Sequence, residues 1–186
     1  MMKRYEIRIA GFGGQGIVTI GRILGMATSM YEGKNSVNTQ SYGPESRGGA
    51  CRSEVVISDG EIYYPRVRMA DILVTLSQVA LNTYIAGLKK GGILIVDPGS
   101  VGSIPDAKDM TILRVPTMEI AQEVGGVKFQ NMIALGALST QLDWISYASF
   151  ERAIAACVPS KTIAVNLKAF KSGRDYVIDR FKLRKD

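Results

Sequence analysis

Histidine is absent from the 186-residue chain, and cysteine occurs only twice. Without histidine the chain cannot form a Ser-His-Asp or Cys-His pair, an imidazole general base or the usual histidine-containing zinc site. Cys51 and Cys157 lie far apart, outside any CxxC pattern, and an iron–sulfur cluster needs about four thiolates. We therefore predict no catalytic residue and no metal site in this chain. Any chemistry must use carboxylates, Lys and Arg side chains, backbone amides or another molecule.

Long apolar runs are also missing, since no run approaches the roughly 20 residues that span a bilayer. The apolar stretch near the N-terminus is too short for a signal peptide. Two isolated cysteines fit a reducing compartment. We expect a cytoplasmic protein without membrane contact. With 46% hydrophobic and 22% charged residues, the composition predicts a single globular domain over residues 1–186.

The formal net charge of +6 is concentrated near the C-terminus. Between Lys168 and Asp186 the sequence has seven Lys or Arg residues and three Asp residues. A solvated helix end explains this excess, because cations are favoured near the C-terminal end of a helix. A docking surface for an acidic partner is the second interpretation. Because no aromatic residues interleave with the cations, we expect no nucleic-acid binding.

Strand patterns alternate with helical patterns along the chain. Strands are predicted at residues 5–10, 35–40, 52–58, 72–76, 93–96 and 111–115. Helices are predicted at residues 17–33, 80–88, from 116, at 132–142, at 149–156 and from 160. Asp59-Gly60 signals a β-hairpin with Glu61 to Tyr64 as the partner strand. The fold class is α/β and Rossmann-like: a mostly parallel sheet with helices on both faces, a β-hairpin and a helical C-terminal part.

Two glycines interrupt the first predicted helix. Gly21 and Gly25 lie four residues apart on one helix face, which predicts close packing against a neighbouring element.

Ser149 and Asn131 are expected to be N-caps of their helices. Asn131 is also kept as a candidate contact residue.

A glycine-rich turn follows the first predicted strand. Its sequence, Gly-Phe-Gly-Gly-Gln-Gly, matches G-x-G-x-x-G between a strand and a helix. Residues without a Cβ allow backbone N–H groups to approach an anion at a helix N-terminus. An acidic residue is missing from the end of the second strand, which counts against an ordinary NAD site. The alternative is a tight turn without ligand. The candidate cofactor-binding residues are Gly11, Gly13, Gly14, Gln15 and Gly16.

A second candidate region is the loop from Ser41 to Gly49, which is rich in turn residues. Arg47 can bind a carboxylate or phosphate through two hydrogen bonds, and Glu45 can hold it in place. An exposed loop with an internal ion pair is the plainer interpretation. In a parallel sheet this loop and the glycine-rich turn share the carboxyl edge. The candidate ligand or subunit contacts here are Ser41, Tyr42, Gly43, Pro44, Glu45, Arg47, Gly48 and Gly49.

Taken together, the turn, this loop and four further segments resemble the gamma subunit, or gamma domain, of 2-oxoacid:ferredoxin (acceptor) oxidoreductases. The further segments are the strand Glu54-Val55-Val56-Ile57-Ser58-Asp59, then Lys90 to Ile95, Asn131 to Leu138 and Asn166 to Phe170. The resemblance spans nearly the whole chain in the right order. Within the family the chain is most similar to the 2-oxoglutarate type, although pyruvate, branched-chain and aryl members share the same segments.

The resemblance implies a function within a larger complex. Such enzymes oxidatively decarboxylate a 2-oxoacid, join the acyl group to coenzyme A and pass electrons to ferredoxin. It implies thiamine diphosphate and iron–sulfur clusters on the alpha, beta and ferredoxin-like delta subunits. This chain would be a module without its own cofactor that packs on the thiamine-bearing subunits, contacts coenzyme A and is inactive alone. Self-association of the isolated chain is left open.

Two other functions remain open from the residues alone. A free-standing dinucleotide-binding protein of the dehydrogenase type would use the glycine-rich turn for NAD or FAD. In a purely structural adaptor, both glycine-rich regions would serve only packing.

Two single residues are also ambiguous. Asp97, at a strand end, is either a site residue or a turn former, and Cys51 is expected to be an inert buried thiol.

Overall fold

Six β-strands form one sheet in the computed structural model, which describes residues 4–41, 50–104 and 109–181. The strands are β1 (Tyr5–Phe12), β2 (Asn35–Ser41), β3 (Ala50–Ser58), β4 (Ala70–Thr75), β5 (Leu88–Val96) and β6 (Met110–Arg114). They lie side by side in the order β2-β3-β1-β4-β5-β6.

The sheet is mostly parallel, as the alternation of strands and helices predicted. β1, β4, β5 and β6 pair in parallel. β3 is antiparallel to both β1 and β2, so that β2 runs in the same direction as β1. The carboxyl ends of five strands therefore share one edge of the sheet, which we call the carboxyl edge, and loops at this edge are the usual ligand sites of α/β proteins.

Helices cover both faces of the sheet, which confirms the predicted fold class. They are α1 (Ile17–Met26), extended by a π-helical turn (Ala27–Tyr31), α2 (Gln78–Tyr84), α3 (Thr117–Val124), α4 (Gln130–Ser139), α5 (Tyr147–Cys157) and α6 (Ile163–Phe181). None of the helices in the described ranges is long and apolar enough to cross a membrane.

The two faces differ in what packs on them. On one, the helical face, α1 and α3 to α6 form a large core with strand residues such as Ile9 and Val74. On the other, the outer face, α2 and irregular segments form a smaller core with Leu73 and Val96. Burial of these continuous apolar strands on both sides provides the main stabilisation of the sheet.

The hairpin predicted at Asp59-Gly60 is wrong. Residues 59–69 form no strand, and Glu61 to Tyr64 pair with nothing in the sheet. β3 already has β2 on one side and β1 on the other, so no free edge is left for a third partner. The antiparallel hairpin of this fold is instead the β2–β3 pair, and residues 59–69 continue beside the outer face.

Both predicted N-caps are also wrong. The N-cap of α5 is Ser146, whose Oγ accepts a hydrogen bond from the N–H of Ser149 at 3.2 Å. Asn131 is the second residue of α4. α5 begins two residues before the predicted cap, because its capping side chain lies outside the apolar repeat that marks the helix in the sequence. α4 begins one residue before Asn131, after Phe129, and no side-chain hydrogen bond caps it.

Close helix packing depends on particular glycines. A Cβ on Gly21 would lie 2.0 Å from Ser53 Oγ on β3, which confirms the close approach predicted there. A Cβ on Gly25 would meet only ordinary contacts, the nearest at 3.7 Å. The tightest helix crossing was not predicted: a Cβ on Gly136 of α4 would lie 2.0 Å from the backbone oxygen of Phe170 in α6.

Tyr5 and Trp144 form an edge-to-face aromatic contact with ring centroids 6.2 Å apart. Tyr5 is the first residue of β1, so this contact lies at the edge of the sheet opposite the carboxyl edge. Lys34 lies over the same indole ring, with its Nζ 5.6 Å from the centroid. The contact ties the segment between α4 and α5 to the start of the central strand.

Candidate functional site

The glycine turn (Gly11–Gly16) lies at the carboxyl edge between β1 and α1, as the sequence predicted. Gly14 has a φ of 94° and Gly16 a φ of 71°, values that side chains other than glycine rarely adopt. Gly16 precedes the first residue of α1 and makes no side-chain cap. Backbone N–H groups of the turn and the first turn of α1 are therefore directed toward this edge, a favourable arrangement for an anion.

Gln15 has a structural role within the turn. Its Oε1 accepts a hydrogen bond from the N–H of Phe12 at 2.6 Å, and its Nε2 donates to the oxygen of Leu76 at 3.0 Å. The side chain thus joins the end of β1 to the residue after β4. A Cβ on Gly11 would lie 2.5 Å from Gln15 Oε1, so Gly11 leaves the room that this side chain occupies.

Asn131 lies against the glycine turn, although the two are far apart in the sequence. A Cβ on Gly16 would lie 2.3 Å from Asn131 Nδ2. The Oδ1 of Asn131 accepts a hydrogen bond from the N–H of Met132 at 3.0 Å. The structure therefore brings together two regions that the sequence analysis had named separately, and the first turn of α4 meets the first turn of α1 here.

Gly13 and Gly14 differ from the other glycines of the turn. Both are exposed, and within the described ranges no atom lies within 4 Å of a Cβ built on either. Gly14 still needs its positive φ, but Gly13 has no such φ. Folding of the described residues therefore gives no reason for glycine at 13. An approaching ligand or partner gives one, because the absent side chain leaves the backbone open.

The Ser41–Gly49 loop begins and ends beside the glycine turn. Ser41, at the end of β2, pairs with Arg52, while Ala50, at the start of β3, pairs with Phe12. Both ends of the loop therefore lie at the carboxyl edge, as predicted. The remaining candidate residues of this loop lie outside the described residues: Tyr42, Gly43, Pro44, Glu45, Arg47, Gly48 and Gly49.

Asp97 was ambiguous in the sequence and has a structural role in the fold. It is buried at the end of β5, and its Oδ2 accepts hydrogen bonds from Thr117 Oγ1 at 2.6 Å, Met118 N–H at 2.9 Å and Gln130 Nε2 at 3.0 Å. Its Oδ1 accepts from the N–H of Gly99 at 2.8 Å. Asp97 thus holds the starts of α3 and α4, including the residue next to Asn131.

Gln130 is a residue that the sequence analysis missed. Its side chain connects Asp97 and Thr117 at 3.0 Å each, and it directly precedes Asn131. The only sequence signal was an amide side chain just before a strongly apolar helix. The network positions Asn131 against Gly16, and so belongs to the support of the site.

The nearest acid to a nucleotide-binding position is Glu32, and it is engaged elsewhere. Its Oε1 accepts a hydrogen bond from the N–H of Ser146 at 2.7 Å. Burial raises its pKa, but hydrogen bonds from Ser149 and Ser146 and the charge of Lys34 outweigh burial and lower the pKa overall. Glu32 precedes the start of β2, at the edge opposite the glycine turn. It cannot bind a ribose there, which disfavours the dehydrogenase alternative.

Cys51 is the cysteine that lies beside the glycine turn. Cys51 is buried beside Gly11 on the neighbouring strand, and burial raises the pKa of its thiol, as expected of an unreactive cysteine. In the part of the chain that the structure describes, no group of three or more His, Cys, Asp or Glu side chains could hold a metal ion.

Comparison with known proteins identifies relatives over almost the whole chain. The family model described as pyruvate ferredoxin/flavodoxin oxidoreductase matches residues 6–176. The 2-oxoglutarate synthase subunit KorC of Methanothermobacter thermautotrophicus is 48% identical over 182 residues, which cover 95% of this chain and 96% of that protein.

Two solved structures have the same fold. The gamma subunit of keto/oxoacid ferredoxin oxidoreductase from Geobacter sulfurreducens PCA has a TM-score of 0.84 at 39% identity, over 94% of this chain and 99% of that one. The 2-oxoglutarate:ferredoxin oxidoreductase from Magnetococcus marinus, solved with 2-oxoglutarate, coenzyme A and succinyl-CoA bound, has a TM-score of 0.85 at 25% identity. That match covers 94% of this chain and 31% of the longer one.

Proposed function

Because this chain belongs to the pyruvate ferredoxin/flavodoxin oxidoreductase family and is the gamma subunit of a 2-oxoglutarate:ferredoxin oxidoreductase, we propose that its glycine turn holds a phosphate of coenzyme A. Family membership follows from the match over residues 6–176 and from the nearly full-length similarity to a 2-oxoglutarate synthase subunit. The complex is an oxidoreductase that acts on a 2-oxoacid, and this chain is one of its subunits.

The open backbone at Gly13 and Gly14 is the observation that supports this proposal. Gly11, Gln15 and Gly16 have structural roles in the fold, but Gly13 has none among the described residues. Beside it, the first turn of α1 supplies N–H groups that have no partner within the helix, and Asn131 supplies an amide group. A phosphate is the anion for which such a turn is best suited, because it accepts several hydrogen bonds in a small volume.

The remaining chemistry belongs to the partner subunits in this proposal. Thiamine diphosphate supplies the carbanion chemistry that releases carbon dioxide from the 2-oxoacid, and iron–sulfur clusters take the electrons. Two cysteines are too few to ligate a cluster, so the clusters lie on other subunits. The carboxyl edge, with the Ser41–Gly49 loop attached to it, is the surface that we assign to the thiamine-bearing subunits. We also keep the cytoplasmic location as part of the proposal.

A single methyl group tests the role of the turn. In a Gly13→Ala variant the fold should persist, because the described residues leave the added Cβ in open space. The methyl group would occupy the place from which a phosphate approaches the backbone. We expect the KM of the assembled complex for coenzyme A to rise at least tenfold, measured as 2-oxoglutarate-dependent ferredoxin reduction.

Gly60→Ala is the matched control, because Gly60 is equally open but lies after β3, at the opposite edge of the sheet. Its KM for coenzyme A should stay unchanged. An unchanged KM in Gly13→Ala, with assembly of the complex intact, would contradict the proposal. Impaired assembly, with an unchanged KM in the fraction that still assembles, would favour the structural adaptor. NAD binding by the purified chain would favour the dehydrogenase type.

A further inference from the structure

A polar cleft on the outer face is separate from the glycine turn. Ser53 of β3 and Asn38 of β2 point toward Gly21 of α1, so the residues next to them on each strand point away from α1. Thr39 and Ser41 of β2 therefore share the outer face with Arg52 and Glu54 of β3. The register places Thr39 opposite Glu54 and Ser41 opposite Arg52.

Residues 59–69 contribute one side chain to the cleft. Arg66 from this segment lines it together with the four strand side chains and Gln40, around a volume of about 170 Å³. That volume accommodates a compact anion such as a phosphate group.

Positive charge exceeds negative charge around this cleft. Glu54 is the acid among the residues that line the cleft. It already forms a buried ion pair with Arg8, whose Nε donates to Glu54 Oε1 at 2.8 Å. Arg52 is a weaker partner, with its Nε 3.7 Å from the same oxygen. Among the described residues, the three guanidinium groups of Arg8, Arg52 and Arg66 thus face the single carboxylate of Glu54.

Two further acids of the described residues on this face, Glu6 and Asp71, are engaged elsewhere. Lys89 pairs with Asp71, with its Nζ 2.7 Å from Oδ1. Glu6 of β1 pairs with Arg4 at 2.5 Å and accepts hydrogen bonds from the N–H groups of Arg68 and Met69. The excess of two positive charges among these described groups attracts an anion, and solvent screens that attraction less inside the cleft than in open water.

Arg52 is held in place on the protein side. The ring of Tyr84 on α2 lies beside both Arg8 and Arg52, with centroid distances of 5.5 Å and 5.6 Å. The side chain of Arg52 is about one third exposed. A guanidinium fixed by an aromatic ring loses little freedom when it binds an oxyanion through two hydrogen bonds, which makes Arg suited to phosphate.

From these contacts we propose that the cleft of Thr39, Ser41, Arg52 and Arg66 binds a phosphate monoester dianion. The two guanidinium groups match its charge, and the two hydroxyl groups supply further donors. The phosphate is either free inorganic phosphate or the terminal phosphate of a nucleotide. The site requires no part of the glycine turn, which lies at the carboxyl edge between β1 and α1.

Amide shifts in the ¹⁵N-labelled full chain test the proposal during titration with inorganic phosphate. We expect saturable shifts at Thr39, Ser41 and Arg52, with an affinity at least tenfold weaker in Arg52→Gln and in Arg66→Gln. Arg180→Gln, which removes an exposed guanidinium at the end of α6, should leave the affinity unchanged. Arg66 is exposed, so its variant tests the charge even where Arg52→Gln disturbs Tyr84.

Two nucleotide arms identify the source of the phosphate. If adenosine 3′,5′-bisphosphate shifts the same amides and binds with higher affinity than inorganic phosphate, the phosphate group belongs to a nucleotide. An equal or lower affinity favours free inorganic phosphate. Saturable shifts confined to the glycine-turn amides would overturn the proposed phosphate site in the cleft and would leave the coenzyme A proposal intact. Unshifted cleft amides with all these probes, or Arg66→Gln binding as tightly as the unaltered chain, would likewise overturn it.

Discussion

At the scale of single residues, the glycine turn divides into residues that serve the fold and residues that remain open. Gly11 makes room for Gln15, and Gly16 makes room for Asn131. Gly13 makes room for nothing in the described part of the chain. The same motif therefore supports the structural interpretation at Gly11 and Gly16 and the ligand interpretation at Gly13, so single substitutions can separate the two interpretations.

Tyr5 gives a residue-scale prediction about pH. Burial, together with the negative charges of Asp71 and Asp143, raises its pKa to about 12. The unfolded chain loses this proton near pH 10, so the stabilisation from the neutral phenol is complete below pH 10 and is lost as the pH rises toward 12. A shift of this size equals roughly 2–3 kcal/mol in a fully buried site, and partial exposure reduces it to about 1 kcal/mol here.

Urea unfolding followed by circular dichroism between pH 9 and 12 measures this loss. Tyr5→Phe cannot ionise and should lose about 1 kcal/mol less than the unaltered chain over that interval. Tyr64→Phe, at an exposed ring, is the matched control and should follow the unaltered chain. If the free energy of unfolding of Tyr5→Phe and that of the unaltered chain fall equally with pH, the raised pKa of Tyr5 is contradicted.

At the scale of elements, sequence patterns indicated most helices and strands but not which of them meet. Apolar runs marked β4, β5 and β6 because such residues are buried on both faces of a parallel sheet. The predicted hairpin at Asp59-Gly60 is wrong because β2 and β1 already occupy both sides of β3, and β1 is a long-range partner that no local signal reveals. The meeting of Asn131 with Gly16 and the Asp97–Gln130 hydrogen bond both join distant segments, and no local pattern carries that information.

The crossing of α4 and α6 gives the element-scale prediction. A methyl group at position 136 would lie 2.0 Å from the Phe170 oxygen and 2.8 Å from the Arg174 nitrogen, both backbone atoms that cannot move aside alone. We expect Gly136→Ala to lower the free energy of unfolding by about 3 kcal/mol, because the helices must separate. Chemical denaturation measures the change.

Gly25→Ala is the control for this substitution. It also adds a methyl group inside a helix, but its nearest contact would be 3.7 Å away. Its stability should be unchanged or rise by up to about 1 kcal/mol, since alanine favours the helix. Equal effects of the two substitutions would mean that the α4–α6 distance does not limit stability.

At the scale of the whole molecule, the proposal gives this chain a scaffold role and gives its partner subunits the redox chemistry. The absence of histidine and the two separate cysteines exclude a cluster or an imidazole base in this subunit. The purified chain should therefore show no 2-oxoglutarate-dependent reduction of ferredoxin or a viologen dye, and addition of the partner subunits should restore the rate. Turnover by this polypeptide alone would contradict the assignment of roles.

The C-terminal charge also belongs to this scale, and its docking role stays a prediction. In α6, Lys171 pairs with Asp175, and Arg174 lies over the ring of Tyr147 at 5.7 Å. These contacts use part of the basic excess within the subunit itself. The prediction therefore now concerns the more terminal cations, most of which lie outside the described residues. The single-domain assignment over residues 1–186 likewise stays a prediction.

The contact between Tyr5 and Trp144 has a practical consequence for experiments. Trp144 is the single tryptophan of the chain, and Tyr5 begins β1, whereas the glycine turn follows its end. Seven residues of extended strand separate the two regions by about 23 Å. Intrinsic indole fluorescence therefore reports loss of the native fold without interference from occupancy at the carboxyl edge, so one natural chromophore can normalise every ligand titration for the fraction of folded protein.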